Sequence, residues 1–251
     1  MKSIIHHPLH TAFVGLSSAL ILSSAVYAAE PDTAEKYAPA KALPEDDRIP
    51  NFHSLGKISD RTNIFRCGNP VDVIAEHMKG PQPTEAERQL AKEEMQHLHD
   101  LGVRTVVSLQ RQEEFLGTKP NPEYRAVTFE KWAAKEVGLT YVAHSMGNHG
   151  KDTLQYMSDD AVFKLVESVG NDIVKYSETG GVAFHCKSGK DRTGLVAAYL
   201  RIKYQDWTLD QALLEMRQKG HVWNKFLKPG MSVSWHEQHL IAISKMLDAG
   251  K

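Results

Sequence analysis

The chain has 251 residues, with 30 Lys and Arg set against 31 Asp and Glu, a formal net charge of −1. So balanced a composition carries no global basic field for nucleic acid, which is not expected as a partner. Its length fits one domain with a full core once a short leader is set aside.

The N-terminus reads as an export signal. Met1 and Lys2 precede an apolar run from Ala12 to Leu22, and Val26-Tyr27-Ala28 offers small residues for cleavage, so residues 1–28 are expected to be a signal peptide. The run is about a dozen residues, short of the roughly 17–25 that span a bilayer. No cysteine follows the cleavage point to accept lipid. A periplasmic or secreted protein with no integral membrane anchor after cleavage is therefore expected. Its mature charge is 29 − 31 = −2, because Lys2 leaves with the peptide. Residues 29–50 are rich in Pro, Ala, Glu and Asp without periodicity and read as a flexible leader, so folding is expected from residue 51 to 251.

Strand-like runs follow at 63–66, 103–109, 139–144 and 181–185. Thr84 and Glu87 form a capping box that opens a helix ending near Gly102. Further helical periodicity covers 122–137, 159–177, 193–204, 208–219 and 232–247. Strands alternating with helices imply an α/β domain of three layers, with a largely parallel central sheet of four to five strands flanked by helices. Ligands in such folds bind beyond the carboxyl ends of the strands.

One passage at such an end carries the chemistry: His185-Cys186-Lys187-Ser188-Gly189-Lys190-Asp191-Arg192-Thr193-Gly194. An apolar strand precedes it, and a helix with Leu195, Val196, Ala198, Tyr199, Leu200 and Ile202 follows. A tight loop between them turns backbone N–H groups inward as a nest, and the helix adds its unpaired amides and the positive end of its dipole. An anion fits there, with Lys187, Ser188, Gly189, Lys190, Asp191 and Arg192 as the phosphate-binding residues. Helix N-termini and neighbouring cations pull a thiol from about 8.5 to roughly 3.5–7.5, which makes Cys186 a thiolate nucleophile at neutral pH. Arg192 can hold two phosphoryl oxygens bidentately, in line with the sulfur. A nucleotide-binding Walker loop is excluded, because Phe184 stands where glycine is required and Asp191 where Ser or Thr is. An inert buried cysteine does not call for three cations and two glycines within eight residues.

The run His-Cys-x5-Arg-Thr-Gly resembles the signature of the cysteine-dependent protein tyrosine and dual-specificity phosphatases. Ile64-Phe65-Arg66-Cys67-Gly68-Asn69-Pro70 and 101–109 resemble, more loosely, the first two strands of bacterial members. The resemblance implies that Cys186 forms a phosphocysteine, that Arg192 binds phosphate and that Thr193 hydrogen-bonds the sulfur. It also implies that His185 orders the loop and that no metal or other cofactor is used. It makes 51–251 a cysteine phosphatase domain and a hydrolase of phosphorylated substrates.

The resemblance also implies an aspartate general acid on an upstream loop. Asp152, on the loop holding Gly147 to Lys151, is the candidate; His149 there could touch substrate. Asp159 and Asp160 follow Ser158 at a helix start, where acids commonly only complement the dipole. Asp191 is either an acid or a loop brace. Lys187 and Lys190 suit an inositol phosphate or phosphoinositide ring, or else only depress the thiol pKa of a phosphotyrosine or general aryl phosphatase. A non-catalytic phosphate-binding module is the remaining alternative. Cys67 is the second of two cysteines, either a small buried residue or the partner of Cys186 in a reversible disulfide.

Overall fold

A computed structural model describes residues 48–250 except 81, 117, 122, 148–153 and 223–232. The expected signal peptide lies outside the described residues, as does the leader up to residue 47. Ile49, within the expected leader, is buried at 1 % exposure, and the Pro50 carbonyl accepts the Gly68 N–H at 2.6 Å. The packed chain therefore begins no later than Ile49.

The elements run β1 (His53–Ser54), β2 (Ile64–Gly68), α1 (Asp72–His77), α2 (Glu85–Asp100), β3 (Val103–Ser108), β4 (Phe115–Leu116) and β5 (Lys119–Pro120). They continue through α3 (Tyr124–Glu136), β6 (Thr140–Ala143), a 3₁₀ turn (Leu154–Tyr156), α4 (Asp159–Tyr176), β7 (Gly181–Cys186), α5 (Arg192–Gln205), α6 (Leu209–Gln218) and α7 (Trp235–Ala249). The main sheet has the order β1-β2-β7-β3-β6. Four strands are parallel, and β1 adds an antiparallel edge. The expected largely parallel sheet is present; β1, α1 and the β4–β5 hairpin were not expected, each being too short to show a period.

Alternation along the strands sorts the core into two faces. Ile64, Val107, Val182 and Phe184 pack with α4, α5, α6 and α7. Phe65, Val103, Val106 and Ala183 pack with α1, α2 and α3. Helix α5 is buried on nearly every side from Thr193 to Leu200, so it reads as a continuous apolar run rather than as an amphipathic stripe. Side chains cap four helices: Thr84 accepts from the Glu87 amide, Ser158 from Ala161, Thr208 from Gln211 and Ser234 from Glu237. Helix α5 has no such side-chain cap.

The carboxyl ends of the parallel strands finish level. Gly68 pairs with Cys186 across β2 and β7, Ser108 with His185 across β3 and β7, and Ser108 with Ala143 across β3 and β6. This brings the residues after β2, β3, β6 and β7 to one edge, where the Cys186 loop lies.

Two glycines set the spacing that makes this possible. A Cβ on Gly170 of α4 would stand 2.6 Å from the Tyr199 ring, so α4 and α5 approach backbone to side chain. A Cβ on Gly181, where β7 starts, would stand 2.5 Å from the Gly102 carbonyl oxygen, an atom that cannot swing away. Gly181→Ala is expected to cost about 2 kcal/mol of overpacking, which is roughly 4–8 °C in Tm for a domain of this size. Thermal unfolding of the variant checks this; an unchanged Tm would show that β3 and β7 separate freely.

Candidate active site

Four carbonyls of the loop from Cys186 to Asp191 are held from outside by named partners. Lys187 O accepts from the Asn69 N–H at 3.0 Å, Lys190 O from Gly194 at 3.1 Å, and Asp191 O from Leu195 at 2.9 Å. Gly189 O accepts from Arg66 Nη2 and from Asn51 Nδ2, both at 2.7 Å. In a planar trans peptide the next residue's N–H points opposite the carbonyl. The amides of Ser188, Lys190, Asp191 and Arg192 are thereby turned inward, over the uncapped N-terminus of α5. Gly189 adopts φ +68°, which a side chain would oppose. The arrangement has the geometry of an anion nest.

Cys186 lies at its floor, 3 % exposed, at the end of β7. Burial on its own would raise the thiol pKa. The Arg192 charge and hydrogen bonds from the Thr193 hydroxyl and amide outweigh it, and the thiol is held below its ordinary value. The Thr193 hydroxyl oxygen accepts the Cys186 N–H at 2.7 Å, which leaves its own proton to be donated to the sulfur. Cys186 and Thr193 meet as the resemblance implied.

Arg192 is 2 % exposed and ties together three pieces of chain. Its guanidinium pairs with both carboxylate oxygens of Glu123, Nη1 to Oε2 at 2.9 Å and Nη2 to Oε1. Nη1 also donates to Met146 O at 3.1 Å and to Leu109 O at 3.3 Å, beyond β6 and β3. A side-chain hydrogen bond reaches the Cys186 sulfur. The arginine is thus fixed beside the sulfur before any substrate arrives.

Behind the loop lies a fully buried polar network. His185 Nε2 stands 2.7 Å from Glu130 Oε1, both at 0 % exposure. Burial disfavours the charged imidazole, but the Glu130 carboxylate prevails and the His185 pKa is raised. His185 Nδ1 donates to the Cys186 carbonyl at 3.2 Å. The other Glu130 oxygen accepts from Asn69 Nδ2 and from the Tyr141 hydroxyl, each at 3.2 Å. Asn69 Nδ2 also donates to Gln110 at 2.8 Å. His185 thus bonds the Cys186 carbonyl and the carboxylate of Glu130, a residue that sequence reasoning did not identify.

The remaining candidates divide. Lys187 reaches Glu76 at 2.6 Å and Asp72 at 3.9 Å on α1. Burial pushes the Asp72 carboxyl up to about 6, against the opposing pull of Lys187. The exposed Lys190 lays its stem over Gly220, where an added Cβ would meet its Cδ at 3.1 Å. Asp191 pairs with His221 Nδ1 at 2.6 Å, and His221 Nε2 bonds the Ser234 hydroxyl at 2.9 Å, which matches the bracing reading of Asp191. Among the described residues Asp191, His221 and His236 bring potential metal-ligand atoms within 4.8 Å of one another. Asp159 bonds His239 at 2.7 Å at the start of α4. Asp152 and His149 lie outside the described residues.

Of the two readings of Cys67, the register favours the small buried residue. Cys67 pairs with His185 across the sheet, so it faces the same side as His185, while Cys186, one residue on, faces the other. The two cysteines belong to opposite core faces and both are free. Burial drives the Cys67 thiol well above its ordinary pKa, as expected of a small apolar filler.

A sequence model described as the tyrosine phosphatase family matches residues 84–202. The dual specificity protein phosphatase TpbA of Pseudomonas aeruginosa strain UCBPP-PA14 is 44% identical over 55 residues, 22% of this chain and 25% of TpbA. The match thus spans about a quarter of the length of that relative. The crystal structure of P. aeruginosa TpbA is similar at 17% identity and TM-score 0.48, covering 84% of this chain and 98% of that one. The core catalytic domain of the PP-IP phosphatase SIW14 from S. cerevisiae is similar at 16% identity and TM-score 0.43, covering 83% and 94%. The matched residues 84–202 carry the whole Cys186 loop, and the match supports the cysteine-dependent protein tyrosine phosphatase superfamily.

Proposed function

We propose that this chain hydrolyses phosphomonoesters through a phosphocysteine intermediate. The observation that carries the reading is a buried thiol of lowered pKa, set beside an immobilised arginine beneath inward-turned amides. The Cys186 thiolate attacks phosphorus as the bond to the leaving oxygen breaks, and the charge on the three equatorial oxygens is shared by Arg192 and the loop amides. Asp152 gives its proton to the leaving oxygen. A water then attacks phosphorus, giving its proton back to the Asp152 carboxylate, while the phosphorus–sulfur bond breaks and Cys186 leaves as a thiolate stabilised by the Thr193 hydroxyl, so that inorganic phosphate is released.

The substrate we favour is an aryl phosphate such as phosphotyrosine on a protein. Lys187 is engaged by two carboxylates of α1, so one of the two cations that would suit a polyphosphorylated ring is already neutralised. An inositol phosphate or phosphoinositide is the second reading, carried by the exposed Lys190. The apolar run and cleavage pattern in residues 1–28 favour export, which would make the periplasm the working compartment.

The mature protein should turn over p-nitrophenyl phosphate in excess EDTA, because the thiolate and arginine supply what a metal would. Cys186→Ser should cost several orders of magnitude in kcat while the protein still binds phosphate. Activity that vanishes in EDTA and returns with a divalent ion, or a serine variant with near-normal kcat, overturns the mechanism.

Asp152→Asn should lower kcat sharply for alkyl phosphates, whose leaving groups need the proton, and much less for p-nitrophenyl phosphate. It should also remove the alkaline limb of the pH–rate profile. If Asp191→Asn changes both and Asp152→Asn changes neither, the acid is in the loop.

Lys187→Ala and Lys190→Ala divide the substrates. A cation that grips a second phosphate is worth about one to two decades in kcat/KM. On the favoured reading, both variants lose similar factors on phosphotyrosine peptides and on soluble inositol phosphates. A loss confined to inositol phosphates points to the ring.

A further inference from the structure

The hydrogen bonds that turn Gly189 involve two residues to which the sequence assigned no role. Arg66 comes from β2 and Asn51 from the segment before β1, 123 and 138 positions away in sequence. Each donates to the Gly189 carbonyl at 2.7 Å, so both lone pairs of that oxygen are taken. Asn51 itself is held: its amide also donates to Lys219 O at 3.2 Å, and its carbonyl accepts from His53 Nε2 at 2.9 Å.

Arg66 is a costly choice for this task. It is 1 % exposed, and among the described residues its Nε and Nη1 have no hydrogen-bond acceptor. An apolar side chain of similar volume would be neutral or better for stability at such a site. What a guanidinium adds is charge. A cation 2.7 Å from a carbonyl polarises the whole peptide unit, and the N–H at its far end becomes a stronger donor. That N–H belongs to Lys190 and points into the nest. The anions facing Arg66 are Glu215 and the Cys186 thiolate, with Arg201 as the opposing cation.

We propose that Arg66 and Asn51 are positioning residues for phosphate: they clamp the Gly189 carbonyl from behind and thereby aim and polarise the Lys190 N–H that receives the phosphoryl oxygen. The inference rests on the phosphatase reading for its consequence in turnover. Its direct consequence is anion affinity, which can be measured without turnover.

The experiment uses the full mature chain. Tungstate binding by calorimetry is compared in the Cys186→Ser background alone and with Arg66→Met, Arg66→Lys or Asn51→Ala added; KM and kcat for p-nitrophenyl phosphate are measured with Cys186 intact. Loss of a hydrogen bond from a charged donor is worth about tenfold to a hundredfold. Arg66→Met should weaken tungstate by that factor and raise KM, and Asn51→Ala should do so several-fold. Arg66→Lys, which keeps the charge and one donor, should recover part of the loss; a residue needed only for packing would be served as well by Met. Should Arg66→Met not fold, Asn51→Ala at a partly buried position carries the same expectation. Folded variants that bind tungstate within twofold of the parent overturn the clamp. A parent that binds tungstate but turns over nothing overturns the phosphatase reading, and the binding comparison still decides the clamp.

Discussion

A guanidinium buried to 2 % exposure cannot stand alone, and Arg192 does not. Removing such a charge from water costs several kcal/mol unless a partner and further hydrogen bonds accompany it. Glu123 accepts at both carboxylate oxygens, and the carbonyls of Leu109 and Met146 take what remains of Nη1. Those four contacts also join the chain after β3, the start of α3 and the chain after β6. The same ion pair that makes the arginine tolerable therefore holds the rim of the nest together.

A second pair, one layer deeper, works by a similar rule with the opposite polarity. His185 lies in the core strand β7, and Glu130, 2.7 Å away, raises its pKa against the opposing effect of burial. Glu130 in turn is held by Asn69 and Tyr141, and Asn69 binds the Lys187 carbonyl through its own N–H. Loop, first strand and α3 thus share one polar network. A buried network of this kind favours one arrangement of its members, since they hold one another at defined distances. The loop is consequently rigid from behind and open from the front.

The strand, loop and helix around Cys186 were legible because each step is local: an apolar run, glycines and cations, then a helix whose cap is missing. The capping box at Thr84 and Glu87 is likewise a four-residue pattern, and both of its bonds are present. What could not be read was everything joined across distance. Glu123 is 69 positions from Arg192, and an acid at the first turn of a helix is ordinarily just a complement to the dipole. Glu130 looks like one more charge on an amphipathic helix until the sheet shows which way it faces. The choice between a buried Cys67 and a Cys67–Cys186 disulfide stayed open in the sequence for a related reason: adjacency of strands brings two cysteines near, but a one-residue offset in register sends them to opposite faces.

The two lysines of the loop show what a sequence leaves open about a pocket. Both were counted as cations at the phosphate. Three residues apart, they meet different surroundings: Lys187 leans onto Glu76 and Asp72 of α1, and Lys190 runs out over Gly220 beyond α6. A surface ion pair such as that of Lys187 is worth little in stability, because both partners remain partly solvated. Its consequence is positional: it keeps a flexible cation off the mouth of the nest and ties α1 to the loop. The positive potential that a substrate meets then comes chiefly from buried and oriented groups, Arg192, the amides and the Gly189 peptide braced by Arg66, rather than from mobile side chains. A site built this way recognises the phosphoryl group itself and leaves the identity of the rest of the substrate to the walls around it.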